Sequence, residues 1–399
     1  MPPLSNKGGI CATTESEEDE GWVEERLNIV NRENKTGEIK NDRIIKLNIH
    51  IMSKDDGTGN FTKTGTAQDD FLNGYQFVKD LIETLNNQQN QNNQMNIPTG
   101  NNIPVWDKKF RYTLDAVYFH NDDNSFVLNK SNGSTVNNLY KENSDEVFNI
   151  YFSGVSFGGS YASNISQNSN SKYVVLSSPY LRYMRYLDNV QNNVNDHYGW
   201  VTSFAAITLA HECGHLLGLS HTVRYNWAHL VPVEDMYVID YATEICNLTP
   251  FSSTDMSFSD GMNDTPTPLD MFNLGNDCHP ACGWNRGNRK GCSNNLMDYS
   301  NSVNLSPDQL DLVHYGLYYG LNEYTVCPEV IGSENICILD YTQVGYYAER
   351  VRIASCNTPT VLKGEGNALI YYSGETVIES GFEVKDNSNF EIIYQSKCY

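Results

Sequence analysis

The sequence predicts a mixed α/β unit followed by a small all-β module, and three observations carry that prediction. Ile45, Leu47, Ile49 and Ile51 alternate with Lys46, Asn48 and His50, the two-residue period of a half-buried strand. Phe71, Tyr75, Phe77, Val78, Leu81, Ile82 and Leu85 recur at helical spacing, and 200–217 is a second apolar helical run. Beyond about residue 326 the pattern changes to short alternating runs broken by Gly and Asn turns, as in ALIYYSGETVIESGFEVKDNSNFEIIYQ, with no clear internal repeat.

Taken in order, residues 1–40 are polar and acidic, with ESEEDE at 15–20, and read as a flexible or extended arm. A strand covers 43–52. A helix covers 66–87, with Thr66 and Asp69 as its cap. The Asn/Gln tract at 86–102 reads as a surface loop without chemistry. Short strand-like runs follow at 111–119, 147–153 and 173–177. The helix at 200–217 ends at Gly218, and 222–294 is irregular. Ser306-Pro307-Asp308-Gln309 then has the three marks of a helix start: an N-cap, a first-turn Pro and a capping-box Gln. The domain division is therefore an arm at 1–40, a main domain at 41–325 with a cleft near Gly218, and a β module at 326–399.

Charge and hydropathy narrow the function. Twenty-seven Lys and Arg against 49 Asp and Glu give a net charge of −22, which repels phosphate backbones, so nucleic acid is not an expected partner. The most apolar stretch, 200–210, falls well short of the roughly 20 residues that span a bilayer. MPPLSNKGGI lacks the apolar run of a secretory signal. Ten cysteines nevertheless suggest an oxidising compartment. The two fit together if a signal was removed before this numbering begins and the protein is secreted or displayed at the cell surface. A monomer is expected.

One segment outweighs the rest: His211-Glu212-Cys213-Gly214-His215-Leu216-Leu217-Gly218-Leu219-Ser220-His221. A chance match to H-E-x-x-H-x-x-G-x-x-H in this composition is on the order of 10⁻⁵. Residues four apart on a helix lie about 40° from each other, so His211 and His215 can face one ion. His221 would lie about 240° round if the helix continued, so the chain must turn, and Gly218 permits a left-handed turn. Three neutral nitrogens with a fourth position open is the pattern of a catalytic zinc. Glu212, beside the first ligand, is placed to take a proton from water and pass it to a leaving amine.

This motif, with Asn263-Asp264-Thr265-Pro266 and Asn295-Leu296-Met297-Asp298-Tyr299, resembles the metzincin metallopeptidases and is most similar to the pappalysin family, ulilysin-like bacterial members included. The resemblance covers roughly 41–325. It implies an α/β (α+β) catalytic domain: a twisted sheet backed by the helices at 66–87 and 200–217, with an irregular lower part ending in the helix from 306. It implies that Met297 forms the floor under the histidines and that Tyr299 donates its hydroxyl to the tetrahedral intermediate. It also implies a calcium-stabilised loop with Asp260, Asp264 and Thr265 as ligands. The expected activity is secreted, zinc-dependent endopeptidase action on protein or peptide substrates, bound extended along a sheet edge.

Some members of such families stay latent because a propeptide thiolate occupies the fourth zinc position, and Cys11 in the acidic arm is the candidate for that switch. Cys246, Cys278, Cys282 and Cys292 read as two disulfides of open pairing; with His279 nearby, a second zinc fits no familiar spacing. Cys327 with Cys337, and Cys356 with Cys398, are natural pairs for the β module. Cys213 reads as a buried small side chain. Two rival functions remain: a binding or adhesion protein that keeps the zinc fold without turnover, and a zinc amidase acting on a non-peptide bond. Intact Glu212 argues against the first.

Overall fold

The computed structural model describes residues 43–65, 72–96, 102–156, 160–163, 172–189, 194–225, 256–259, 262, 264–265, 293–297 and 303–326, and the backbone of six strands between 338 and 394. In chain order the main elements are β1 (Arg43–Ser53), α1 (Gly74–Gln89), β2 (Phe110–Asn121), α2 (Asp123–Phe126), β3 (Val127–Leu128), α3 (Gly133–Tyr140), β4 (Phe148–Phe152), β5 (Val155–Ser156), β6 (Tyr161–Ala162), β7 (Tyr173–Leu176), α4 (Pro179–Asn189), α5 (Val194–Leu216), β8 (Val223–Tyr225), β9 (Met256–Ser259), α6 (Pro307–Tyr319) and β10 (Thr325–Val326).

A mixed sheet organises the first part of the chain. β1 pairs in parallel with β2 along its whole length and with β4 on its other side, and β4 pairs in parallel with β7. Two strands run against this direction: β6 on β7, and β10 against the start of β1. Parallel neighbours need crossovers; helices lie in those from β1 to β2 and to β4, whereas the described part of the β4–β7 connection holds only β5 and β6. α1 connects β1 to β2 and packs on α5, while α5 lies against β6 and β7. The main core is built from Ile45, Leu47, Ile49 and Ile51 of β1, Phe77, Leu81 and Leu85 of α1, and Ala206, Leu209 and Ala210 of α5. A second apolar layer, with Met52, Leu128, Val136, Tyr151 and Val175, covers the other sheet face.

That second layer changes the reading of β1. The alternation of side chains is real, but the strand is not half-buried from Leu47 onward, because Asn48 and His50 are also fully buried. Buried polar groups need partners, and the His50 ring and the Asn48 amide nitrogen find them, while Asn48 Oδ1 has none among the described residues. Asn48 donates its Nδ2 to the Glu142 carbonyl at 3.0 Å. Asn149 Oδ1 accepts the Glu142 amide and lies 2.8 Å from His50 Nε2, which must therefore carry the proton. Burial holds the His50 pKa down to about 3, so the ring is neutral and its Nδ1 is left to accept from His120 Nε2 at 3.0 Å.

The first helix also begins later than its apolar pattern suggests. Asn73 is the N-cap, its side chain accepting the Gln76 amide at 3.1 Å, so the helix starts at Gly74; Thr66 and Asp69 lie outside the described residues. At its other end the helix runs to Gln89, into the tract expected to be loop. Asn86 bonds both backbone groups of Tyr112 in β2, at 2.8 Å each. Asn92 bonds both Leu305 backbone groups, Asn93 donates its amide to Asn304 Oδ1, and Asn96 donates its amide to Asn294 Oδ1. The described part of the tract is thus a polar brace against the segment before α6. Side-chain amides carry donor and acceptor together and can clamp a backbone that has no strand partner.

α6 starts as its sequence suggests. Ser306 accepts from the Gln309 amide, Gln309 returns a bond to the Ser306 backbone, and Pro307 fills the first turn. No helix among the described residues is long and apolar enough to cross a membrane.

Past 326 the described backbone consists of six strands: β11 (Ile338–Asp340), β12 (Gln343–Ile353), β13 (Val361–Lys363), β14 (Asn367–Ile378), β15 (Glu383–Val384) and β16 (Asn389–Tyr394). Every pairing among them is parallel. β12, β14 and β16 form one ladder, with Gln343 beside Asn367 and Asn367 beside Asn389. β11, β13 and β15 form another, with Ile338 beside Val361 and Val361 beside Glu383. A repeat invisible in the letters is therefore present in the backbone. Each coil contributes one short and one long strand, and the next coil repeats them about 22–24 residues later, as in a solenoid.

Candidate metal centre

α5 ends where the motif requires it. Gly218 has φ +98°, the left-handed region, and the amides of Gly218 and Leu219 reach back 2.9 Å to the carbonyls of His215 and Gly214. This is the paired closure of a Schellman motif. It reverses the chain, so that Leu219, just past the turn, presents its carbonyl to His215 Nδ1 at 2.8 Å, and His221 comes back to the helix.

The three histidines are buried, and their ligand nitrogens all lie within 4.8 Å of one another. They are the only group of three or more His, Cys, Asp or Glu among the described residues arranged to hold a metal ion. His211 Nε2 and His221 Nε2 are 3.2 Å apart. Two nitrogens bound tetrahedrally at about 2.0–2.1 Å from one zinc would be separated by roughly 3.3 Å.

The donor chemistry fits as well. His211 Nδ1 faces the Leu296 carbonyl at 2.7 Å, and His215 Nδ1 faces the Leu219 carbonyl. A carbonyl can only accept, so each Nδ1 carries its proton, and in a neutral ring Nε2 then offers a lone pair. Burial, reinforced by His221 and His211 beside it, pushes the His215 pKa well below the ordinary histidine value. The ring is therefore held in the neutral form that a metal binds. Glu212, the residue after the first ligand, is fully buried.

The turn 295–297 touches the histidine segment. Met297 is fully buried, and its sulfur would stand 2.6 Å from a Cβ at Gly214, the residue just before His215 on the helix. Glycine at 214 is thus what lets the sulfur approach the helix so closely. The same turn reaches both other parts of the site. The Leu296 carbonyl receives His211, and the Met297 carbonyl accepts the amide of Thr222, next to His221, at 3.3 Å.

The remaining candidates are placed less centrally. Asp264 sits at the start of α6, where its Oδ2 accepts the Asp308 amide at 2.9 Å; burial lifts its pKa to about 6, with that amide bond opposing the rise and the Asp308 charge adding to it. Thr265 is buried and donates to the Met262 carbonyl at 3.5 Å. Asp260, Tyr299, Cys11 and all the paired-cysteine candidates lie outside the described residues. Cys213 is buried on α5, hydrogen-bonded with the Tyr112 hydroxyl, and burial followed by the Glu212 carboxylate raises its thiol well above the usual range. It packs in the hydrophobic core.

Sequence reasoning missed Gly214, the backbone carbonyls of Leu296 and Leu219, and the amide network around Asn295. Only the glycine left a trace in the letters, as the small residue between two ligands.

No protein-family model matches the chain, and comparison with curated proteins gives no significant match.

Proposed function

We propose that the protein is a secreted zinc-dependent endopeptidase of metzincin type. The observation that carries the reading is the buried histidine triad, with two rings locked by carbonyls into the ligand tautomer, next to a buried glutamate on the same helix. Zinc, when bound there, supplies Lewis acidity toward a substrate carbonyl. His211, His215 and His221 are the residues that would hold it. The Glu212 carboxylate takes a proton from the attacking water and delivers it to the departing amine, so one group serves as base and then as acid. Tyr299 is assigned the donation of a hydroxyl hydrogen to the developing oxyanion.

A sheet edge is the proposed place for the substrate. β6 is the antiparallel end strand, pairs only with β7 among the described residues, and packs against α5. An extended peptide pairing with a sheet edge beside the histidine helix would gain main-chain hydrogen bonds. Peptides suit such an edge better than a compact non-peptide amide, which has no backbone to pair.

The test is mass spectrometry of new termini in a mixed, denatured protein digest, with wild type and Glu212→Ala run in parallel in the presence of zinc. Fresh termini with wild type alone are the expected result. Equal termini in both samples, with zinc shown to be bound, would overturn the peptidase reading in favour of a binding protein.

A further inference from the structure

We infer that Asn295 and Gln309 are positioning residues for the metal ligand His211, acting through the Leu296 carbonyl. The inference rests on the zinc reading above and concerns how that site is held. Leu296 O is the acceptor that fixes the His211 ring, at 2.7 Å from Nδ1. A carbonyl in a turn keeps its direction only if the peptides on either side are fixed, and Asn295 fixes them. Its Oδ1 accepts the Met297 amide at 2.8 Å, which closes a small ring around Leu296. The Leu296 amide is held separately, by the Asn304 carbonyl at 2.7 Å.

The Asn295 side chain is in turn anchored to a rigid element. Its Nδ2 donates to Gln309 Oε1 at 2.7 Å, and Gln309 Nε2 donates back to Asn295 Oδ1 at 3.1 Å. Gln309 is the capping-box residue of α6, and the same Oε1 accepts the Ser306 amide at 3.1 Å. Both side chains are fully buried. A reciprocal amide pair has one arrangement that satisfies all four groups, and burial makes any other costly. The start of α6 thus sets the orientation of the 295–297 turn, and the turn sets the ring of His211. A capping residue at a helix start ordinarily serves its own helix; here its side chain is shared with the metal centre.

The experiment is zinc affinity, measured by competition with a chromogenic chelator on purified full-length protein. Variants are Asn295→Ala, Gln309→Ala, the double variant, and Asn60→Ala as a control. Asn60 is buried and donates to the Met52 and Phe152 carbonyls, at 2.9 and 3.0 Å, in the sheet. Removing a ligand's hydrogen-bonded support typically weakens metal binding about 10–100-fold. Each single variant is expected to lose affinity in that range. The double variant should lose no more than the worse single, because both remove one shared interaction. Asn60→Ala should lower the melting temperature and leave zinc affinity within about twofold.

Should either alanine variant fail to fold, Gln309→Met provides a second lesion that leaves no large cavity. It keeps the length and bulk of the side chain and removes its bonds to Asn295 and Ser306, so the same loss of affinity is expected with a smaller loss of packing. Unchanged zinc affinity in the folded Asn295 and Gln309 variants would overturn the inference. So would an equal loss in Asn60→Ala. Failure of the wild type itself to bind zinc would overturn the function reading, a result distinct from either of these.

Discussion

Gly214 offers the sharpest test of how the 295–297 turn packs on α5. Glycine inside a helix normally costs about 1 kcal/mol relative to alanine, so Gly214→Ala on an open face would stabilise α5 by that amount. Here the new methyl would meet Met297 Sδ at 2.6 Å. That is about 1 Å inside the roughly 3.5–4.0 Å optimum for such contacts. Met297 is fully buried, so its sulfur moves aside only by displacing packed neighbours. Overpacking of this kind costs about 1–3 kcal/mol, so the net change should be a loss of about 0–2 kcal/mol.

The control is the same substitution in a Met297→Ala background, where the obstacle is gone and alanine at 214 should gain about 1 kcal/mol. The coupling between the two positions is then about 1–3 kcal/mol. Urea denaturation of the four metal-free proteins measures it. Because the displaced turn carries the carbonyls that hold His211 and Thr222, zinc affinity should fall in Gly214→Ala as well. Equal effects of Gly214→Ala in the two backgrounds would refute the reasoning.

Three further outcomes are expected. Zinc added to metal-free protein should raise its melting temperature, by the equivalent of about 4 kcal/mol at a thousandfold excess over Kd, with chelator reversing the shift; a zinc-independent melt in wild type would contradict the site. Lys108 is buried, donates to Gln89 Oε1 and the Val303 carbonyl, and desolvation lowers its pKa to about 7. An unfolded lysine keeps its proton to about 10.4, so between about pH 7 and 10 the unfolded state binds more protons and stability rises with pH. The slope contributed is up to about 1.4 kcal/mol per pH unit, and urea melts at pH 7, 8 and 9 should show it in wild type and not in Lys108→Met. Finally, the Cys213 thiol should resist alkylation at pH 8 in native protein and react after unfolding, as read by mass mapping; labelling of the folded protein would disprove its burial.

What the letters revealed and what they hid divide along physical lines. The histidine spacing was legible because a helix has a fixed pitch, and the turn at Gly218 was legible because few residues accept its backbone angle. Ser306, Pro307 and Gln309 marked a helix start for the same local reason. By contrast, Asn48 and His50 read as solvent-facing because nothing in a strand's own pattern tells whether a second layer covers it. The tract from Asn86 looked like inert loop because side-chain amides pair by position in space, and Asn92 lies far along the chain from Leu305. Gln309 showed its capping role but not its partner Asn295, for the same reason.

The parallel ladders past residue 326 have a consequence for how this end of the protein can vary. In a stack where each coil pairs only with the one before and the one after, shifting by one repeat lays every strand on the position of its successor. Length there is counted in whole turns of the coil. Removing or duplicating a complete turn preserves the pairing of all the others, whereas cutting a few residues from the middle of β14 puts both of its neighbours out of step.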